Sequence, residues 1–416
     1  MLYPDKCCLV WDNGLFVTLA ERLARDFGHV KFYSPWKSAY PKAPGAHIGV
    51  GLAGVERVLN FWDHVGEADI VVFPDLYDAD AQKICERLGK PVWGHRDAER
   101  MELDRWEMRK LQKRLGIPAP PTQRFSSIDD LSNYLKGTRN QYVKLSCFRG
   151  DLETFYHDTW HITEVILDDL VRRVGALKDH YEFIVEDAIE GVEVAYDGWT
   201  VLGQFPRHVF HGIEVKDKCY VGKFTEYDKL PAPVKTVNSL LAPVLEHEGA
   251  IGFCAFEMIL KSPTEYFVID PCLRAFSPPL EVMMEAYDNI AQIIWEGAHG
   301  NMVEPVAIGT YAVEAMLHSN FALSNWVPIE VPQGQERWLK LRNAAIIDGK
   351  LYHVPTGGEM PEIGAVVAVA NTLTEAIALV KERAEGIKGH QVEIHTHALD
   401  DAQQEIFKGH DVGIEF

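Results

Sequence analysis

Residues 252–274 read GFCAFEMILKSPTEYFVIDPCLR, and this stretch decides how the rest of the chain is read. Two apolar runs flank a short polar connection, Lys261 to Glu265, which predicts a strand, a tight turn and a returning strand. One acid interrupts each run near its end, Glu257 in the first and Asp270 in the second, 13 positions apart. A carboxylate inside such a run costs several kcal/mol unless something positive compensates it. Two of them facing each other across a hairpin form a natural oxygen-ligand pair for a hard divalent cation. Arg274 adds a fixed positive charge four residues past Asp270. These residue types in this order suggest magnesium and phosphate chemistry. The plainer alternative is one acid paired with Arg274 and the other solvated at a strand end.

The chain has 416 residues, long enough for two or three domains. Its 41 Lys and Arg against 61 Asp and Glu leave a net charge of −20, with no basic block. That argues against binding duplex nucleic acid, whose affinity comes largely from phosphate neutralisation; small anions need only a local cluster. The seven cysteines are scattered without a C-x-x-C pair, so neither a zinc ribbon nor a disulfide framework is indicated. The N-terminus enters a strand-like CCLVW without a basic n-region, and no apolar stretch approaches the roughly 20 residues that span a bilayer. A cytoplasmic protein with no membrane partner is expected.

Strand-like and helix-like patterns alternate over residues 1–95 (CCLVW, LFVTLAERLARDFG, HVKFYSP, ADIVVFPD, DADAQKICERLG, KPVWG), which predicts a parallel α/β domain. Asn13, Gly14 and Leu15 join the first strand to the first helix without G-x-G-x-x-G, which argues against a dinucleotide site. Residues 96–304 predict two α+β lobes. AERMELDRWEMRKLQKRLG reads as one long helix, VEVAYDGWTVLGQF as a hairpin turning at Asp197-Gly198, and PLEVMMEAYDNIAQIIWEGAHG as a single closing helix. Residues 305–416 read as a smaller α+β domain carrying the helix TLTEAIALVKERAEGI.

Taken in order, ADIVVFPD…LGKPVWG, LDRWEMRKLQKRLGIPAPPT, FIVEDAIEGVEV and the acidic hairpin resemble the ATP-grasp superfamily, in the branch of phosphoribosylamine–glycine ligase and the biotin-carboxylase-like enzymes. The resemblance implies a parallel-sheet pre-grasp domain, a two-lobed ATP-grasp domain hinged near 184–193, and a small α+β C-terminal domain. It implies an ATP-dependent carboxylate–amine ligase that passes through an acyl phosphate and releases ADP and phosphate. Its cofactors would be ATP and magnesium, with manganese as the substitute. Its partners would be a small-molecule carboxylate and an amine, and a homodimer is one assembly it allows.

Residue by residue, Glu257 and Asp270 match the family's metal carboxylates, and Arg274 its arginine facing the transferred phosphoryl group. Lys144 leaves a strand into LSCFRGD, where it, Arg149 and the amides around Gly150 can reach triphosphate oxygens. Arg105 stands where the family has a phosphate-binding lysine. In the hinge, Glu186 would accept from the adenine amino group, the Ile189 main chain would donate to the ring, and Glu193 would chelate the ribose. Arg207 and Lys216 are candidates for holding an anionic group of the substrate. Two departures stand out: Cys272 replaces the family's metal-binding Asn, and the lid carries few glycines. They favour one rival, a non-catalytic nucleotide-binding homologue; a small-molecule kinase or a carboxylase would keep the fold and change the acceptor.

Overall fold

The first strands pair as parallel neighbours because each is followed by a crossover segment. They are β1 (Tyr3–Trp11), β2 (Phe27–Tyr33), β3 (Val55–Arg57), β4 (Ile70–Val72) and β5 (Val92–Trp93), in the order β3-β2-β1-β4-β5. The computed structural model describes residues 1–35, 47–146, 154–355, 361–412 and 414. Strand order reverses between β1 and β4, and the chain leaves those two strand ends in opposite directions, opening a crevice between them.

Next come β6 (Thr122–Phe125), β7 (Gln141–Leu145), β8 (Thr154–His157) and β9 (Phe183–Asp187), an antiparallel sheet ordered β6-β9-β7-β8. The helices Ile128–Leu135 and Trp160–Val174 bury Leu131 and Leu167 against its Val143 and Val185. The second lobe holds β10 (Val192–Val201), β11 (His208–Val215), β12 (Cys219–Glu226), β13 (Ile251–Leu260) and β14 (Tyr266–Cys272). One sheet runs β10-β13-β14. The other runs β11-β12-β15, with β15 at Tyr311–His318, and continues into Glu362–Ala370 and Leu339–Leu341 of the C-terminal region. The largest apolar core joins strands of the first sheet to these C-terminal strands.

Three local expectations are corrected. β10 runs straight through Asp197 and Gly198, paired with β13 from Val192↔Leu260 to Val201↔Ile251, so no hairpin turns there. Gly198 instead gives room: a Cβ would stand 2.6 Å from the hydroxyl of buried Tyr196, which donates to the Trp199 carbonyl at 3.0 Å. The expected long helix breaks at Asp104 (φ −105°, ψ 87°), whose side chain accepts the Glu107 N–H at 3.0 Å and starts a new helix, Arg105–Leu115. The closing helix is likewise two, Leu280–Ala286 and Ile290–Ala298. Asn289 interrupts it by accepting the Val306 N–H and donating to the Glu304 carbonyl.

Glu285, on the first of those two helices, ties distant segments together. It pairs with Arg25 at 2.8 Å, Lys340 at 2.6 Å and Arg337 at 2.7 Å. Burial alone would raise its pKa, but Lys340 and Arg25 overrule it and bring the carboxyl down to about 2. A depressed carboxyl stabilises the fold above its unfolded pKa and loses that contribution as pH falls through the folded value. Between about pH 4.5 and 2, Glu285 should therefore cost the fold roughly 3 kcal/mol. Acid titration of urea stability should show this slope, and Glu285→Gln should flatten it. Gly198→Ala should destabilise by about 1–3 kcal/mol through overpacking on Tyr196. An unchanged urea midpoint would return Gly198 to an open turn.

Candidate active site

Glu257 and Asp270 stand directly opposite each other on β13 and β14, and such cross-strand partners share a face. A register irregularity follows immediately, between Glu257 and Met258, a device that re-aims side chains at the end of a ladder. From the other lobe, Lys144 on β7 brings its Nζ to 2.7 Å from Asp270 Oδ2 and 3.2 Å from the Ile269 carbonyl. Arg105, in the first turn of the helix Arg105–Leu115, places a guanidinium nitrogen 2.6 Å from Asp270 Oδ1 and donates to the Leu145 carbonyl.

A second acid lies behind this pair. Glu186 on β9 meets Lys144 at 3.1 Å and Arg109 at 2.9 Å, and accepts the Thr122 hydroxyl at 3.0 Å. Arg105, Arg109 and Gln112 recur at helical spacing, so one buried face of that helix holds both lobes; Gln112 donates to the Val268 carbonyl at 3.1 Å. Burial would raise the pKa of Asp270, but Lys144, Arg105 and Arg109 reverse this and hold it well below the usual carboxylate range. Glu186 is lowered in the same way, with Lys144 and Arg109 overruling burial. Glu257 goes the other way: burial and the neighbouring Glu193 raise it, with Lys216 opposing. The two facing acids therefore titrate apart.

The opposite wall comes from β10, β11 and β12. Glu193, Asp197, Glu214, Tyr220, Glu257 and Pro278 line one cavity. Burial, then Glu193, pushes Asp197 up to about 7. Lys216, just past β11, is raised chiefly by Glu257 and then by Glu193 and Glu214, which places its ammonium among these acids.

The expected site residues do not all converge. Lys144, Arg105, Glu186, Glu257 and Asp270 lie in one cluster, and Lys216 faces it. Glu186 is 2% exposed and its oxygens are taken by Arg109, Lys144 and Thr122, whereas an adenine contact was expected. Ile189 is half-buried in the connection between β9 and β10, and Glu193 is exposed on the same β10 face as Ala195, the partner of Glu257. Arg274 engages Glu102 at 3.0 Å, while Glu102 also accepts the Leu273 N–H at 2.6 Å, so this arginine anchors the loop after β14. Arg207 is exposed, and its amide donates to Glu304. It precedes β11 and Lys216 follows it, a separation of roughly 30 Å at about 3.3 Å per residue, so the two cannot hold one small substrate. Arg149 and Gly150 lie outside the described residues. Arg109, Asp197, Glu102 and Thr122 were missed; only Arg109 carried a signal, its four-residue spacing from Arg105.

No protein-family model matches the sequence, and no curated protein matches it either. Solved structures do. Phosphoribosylamine–glycine ligase from Thermotoga maritima matches with a TM-score of 0.70 at 16% identity, over 94% of this chain and 98% of that one. The biotin carboxylase domain of Hydrogenobacter thermophilus 2-oxoglutarate carboxylase, solved with MgADP, ADP and bicarbonate, matches at 0.67 and 13% identity over 99% of each chain. L-amino acid ligase from Bacillus licheniformis matches at 0.62 and 14% identity, over 93% of this chain and 99% of that one.

The chain has the ATP-grasp fold. The ion cluster ties the lobes of this fold together, joining β7 and β9 to β14 through the helix Arg105–Leu115. Removing one member of a buried pair strands its partner. Arg109→Met should therefore lower unfolding free energy by about 3–5 kcal/mol in urea titrations. Arg207→Ala should stay within about 0.5 kcal/mol of the parent.

Proposed function

We propose that this ATP-grasp chain is an ATP-dependent carboxylate–amine ligase that works through an acyl phosphate and releases ADP and phosphate. One observation carries the reading: Glu257 and Asp270 face each other in register while Lys144 and Arg105 arrive at Asp270 from the other lobe. That is an arrangement for holding a nucleotide's terminal phosphates between lobes. The ligase names of two matched structures support the same class.

The residues fit magnesium, or manganese, of the kind completed by substrate. Among the described residues no group of three or more His, Cys, Asp or Glu side chains is arranged to cage a metal. Magnesium is commonly held by one or two carboxylates plus phosphate oxygens and water. Glu257 and Asp270 would hold it, and the burial and acid crowding that raise Glu257 are what a cation relieves. When bound, it would neutralise charge on the terminal phosphates.

The remaining work falls to the chain's own groups. Lys144 and Arg105 would turn from Asp270 to the phosphates, and Lys216 would meet the transferring phosphoryl group beside Glu257. Arg149 and Gly150 would close over the phosphates, and the Ile189 main chain and Glu193 would take the base and ribose. A substrate carboxylate oxygen attacks the γ-phosphorus and the bond to ADP breaks. The amine nitrogen then attacks the acyl carbon, the carbon–oxygen bond to phosphate breaks, and the nitrogen's proton passes to Asp197. Positioning supplies most of the acceleration, since no protein nucleophile takes part. The division into 1–95, 96–304 and 305–416 and a cytoplasmic setting belong to the same reading.

Glu257→Gln tests it. Replacing an acid that burial and its neighbours already push toward neutrality should leave urea stability within about 1 kcal/mol, while ADP release with a carboxylate and an amine falls at least about a hundredfold. Full activity in the variant would remove the metal assignment. ADP release with a carboxylate alone, unaffected by any amine, would favour the kinase reading.

A further inference from the structure

The crevice at the reversal of the first sheet lies between the ends of β1 and β4, where ligands of open α/β sheets bind. In this chain it meets the ion cluster through the loop after β14: the Ala275 amide donates to the Pro74 carbonyl at 2.7 Å, one residue before Asp75. Phe276 and Pro278 of the same loop line the cavity that contains Glu257. The turn 342–343 of the C-terminal region closes the crevice from above, Arg342 donating to Ser277 at 2.7 Å.

The amides that follow β1 would otherwise form an anion-binding nest. They are already filled. Buried Asp12 accepts the N–H groups of Leu15 at 3.3 Å and Phe16 at 3.2 Å. A phosphate arriving there would have to displace a carboxylate of the chain itself. Around it stand more acids. Asp75 contributes to raising Asp12, after burial, to about 7, and Asp78 accepts from Asn13 at 2.9 Å.

An independent feature points at the same space. Asn343 is 7% exposed, yet its Oδ1 has no hydrogen-bond partner among the described residues. That oxygen lies 3.5 Å from where a side chain on Gly14 would begin. Gly14 has φ +113°, so the position also resists a side chain conformationally. A buried acceptor with no donor among the described residues, beside an open glycine in a crevice that carries Asp12 and Asp75, calls for a donor-rich cation.

We propose that the crevice between Asp12–Gly14, Asp75 and Asn343 holds the cationic end of the acceptor, which is an unphosphorylated diamine-like molecule. Its ammonium is held by Asp75 and the Asn343 oxygen, and its other amine points along the 275–278 loop toward Glu257. Asp12 excludes phosphate by occupying the anion nest. This assignment rests on the ligase reading, and it sets the chain apart from a relative named for a phosphorylated amine.

Calorimetry on the full chain with MgADP tests it, using 1,3-diaminopropane and O-phosphoethanolamine as probes. The diamine should bind at least tenfold more tightly than the phosphorylated amine. Asp75→Asn and Asn343→Leu should each weaken the diamine at least tenfold while MgADP affinity, the folding control, holds. Asp12→Ala, which empties the amide nest, should narrow the preference by admitting O-phosphoethanolamine. Equal or tighter binding of O-phosphoethanolamine to the parent would overturn the proposal, as would undetectable diamine binding or diamine affinity unchanged in Asp75→Asn. Failure of the ligase reading looks different: the binding preference would stand while no acceptor stimulates ADP release.

Discussion

Two carboxylates set opposite each other on neighbouring strands repel, and the rest of the site is arranged around that repulsion. The chain gives each acid its own source of positive charge. Asp270 receives Lys144 from β7 and Arg105 from a helix more than 150 positions earlier in sequence. Glu257 receives Lys216 from the end of β11. Neither compensation is local, so the acidic hairpin is tolerable only when both lobes and the second sheet are assembled. The lobes are held in register by the same charges that the proposed chemistry would use.

Stability alone does not account for this cluster. Buried ion pairs commonly do no better than well-packed apolar replacements, because desolvation offsets the Coulomb gain. Their better-attested use is to fix one arrangement, and here the arrangement is a set of cations parked on displaceable acids. A chain of net charge −20 repels a polyanionic nucleotide on average. Arg105, Arg109 and Lys144 gathered on Asp270 and Glu186 form a local exception. Under the proposed function, a metal taking Asp270 and phosphates taking Lys144 and Arg105 exchange partners without leaving a buried charge uncovered.

The parts that were legible in the sequence share a property: their signal is local. The acidic hairpin showed itself because two apolar runs were each broken once, and the parallel sheet because strand and helix patterns alternated. Asp197-Gly198 misled for the same reason. Asp-Gly is turn chemistry when judged by its neighbours, but here Gly198 answers to the Tyr196 ring and sits in a strand whose ten residues all pair with β13. Asp104 was a readable cap, Asp-x-x-Glu, hidden inside a longer apolar periodicity. Glu186 could be found but not understood, since Arg109 lies 77 positions away and decides what its carboxylate does. Arg207 and Lys216 looked equivalent on paper; only the length of β11 separates them.

Cys272 bears on the proposed metal site through its position beside Asp270. It lies opposite Ala255 on the face that carries Asp270 two residues earlier, and it is buried. A thiol there packs like a small apolar group and offers magnesium little, since that ion demands oxygen donors. Under the proposed function, the protein's share of a metal shell would be two carboxylates, one of which is held by two cations. Affinity for the metal alone would then be low, and most of the coordination would arrive with the phosphates. Metal and nucleotide would thus bind as one unit, each improving the other's affinity by the same factor. Under the proposed function, Cys272 would move part of the metal site onto the substrate.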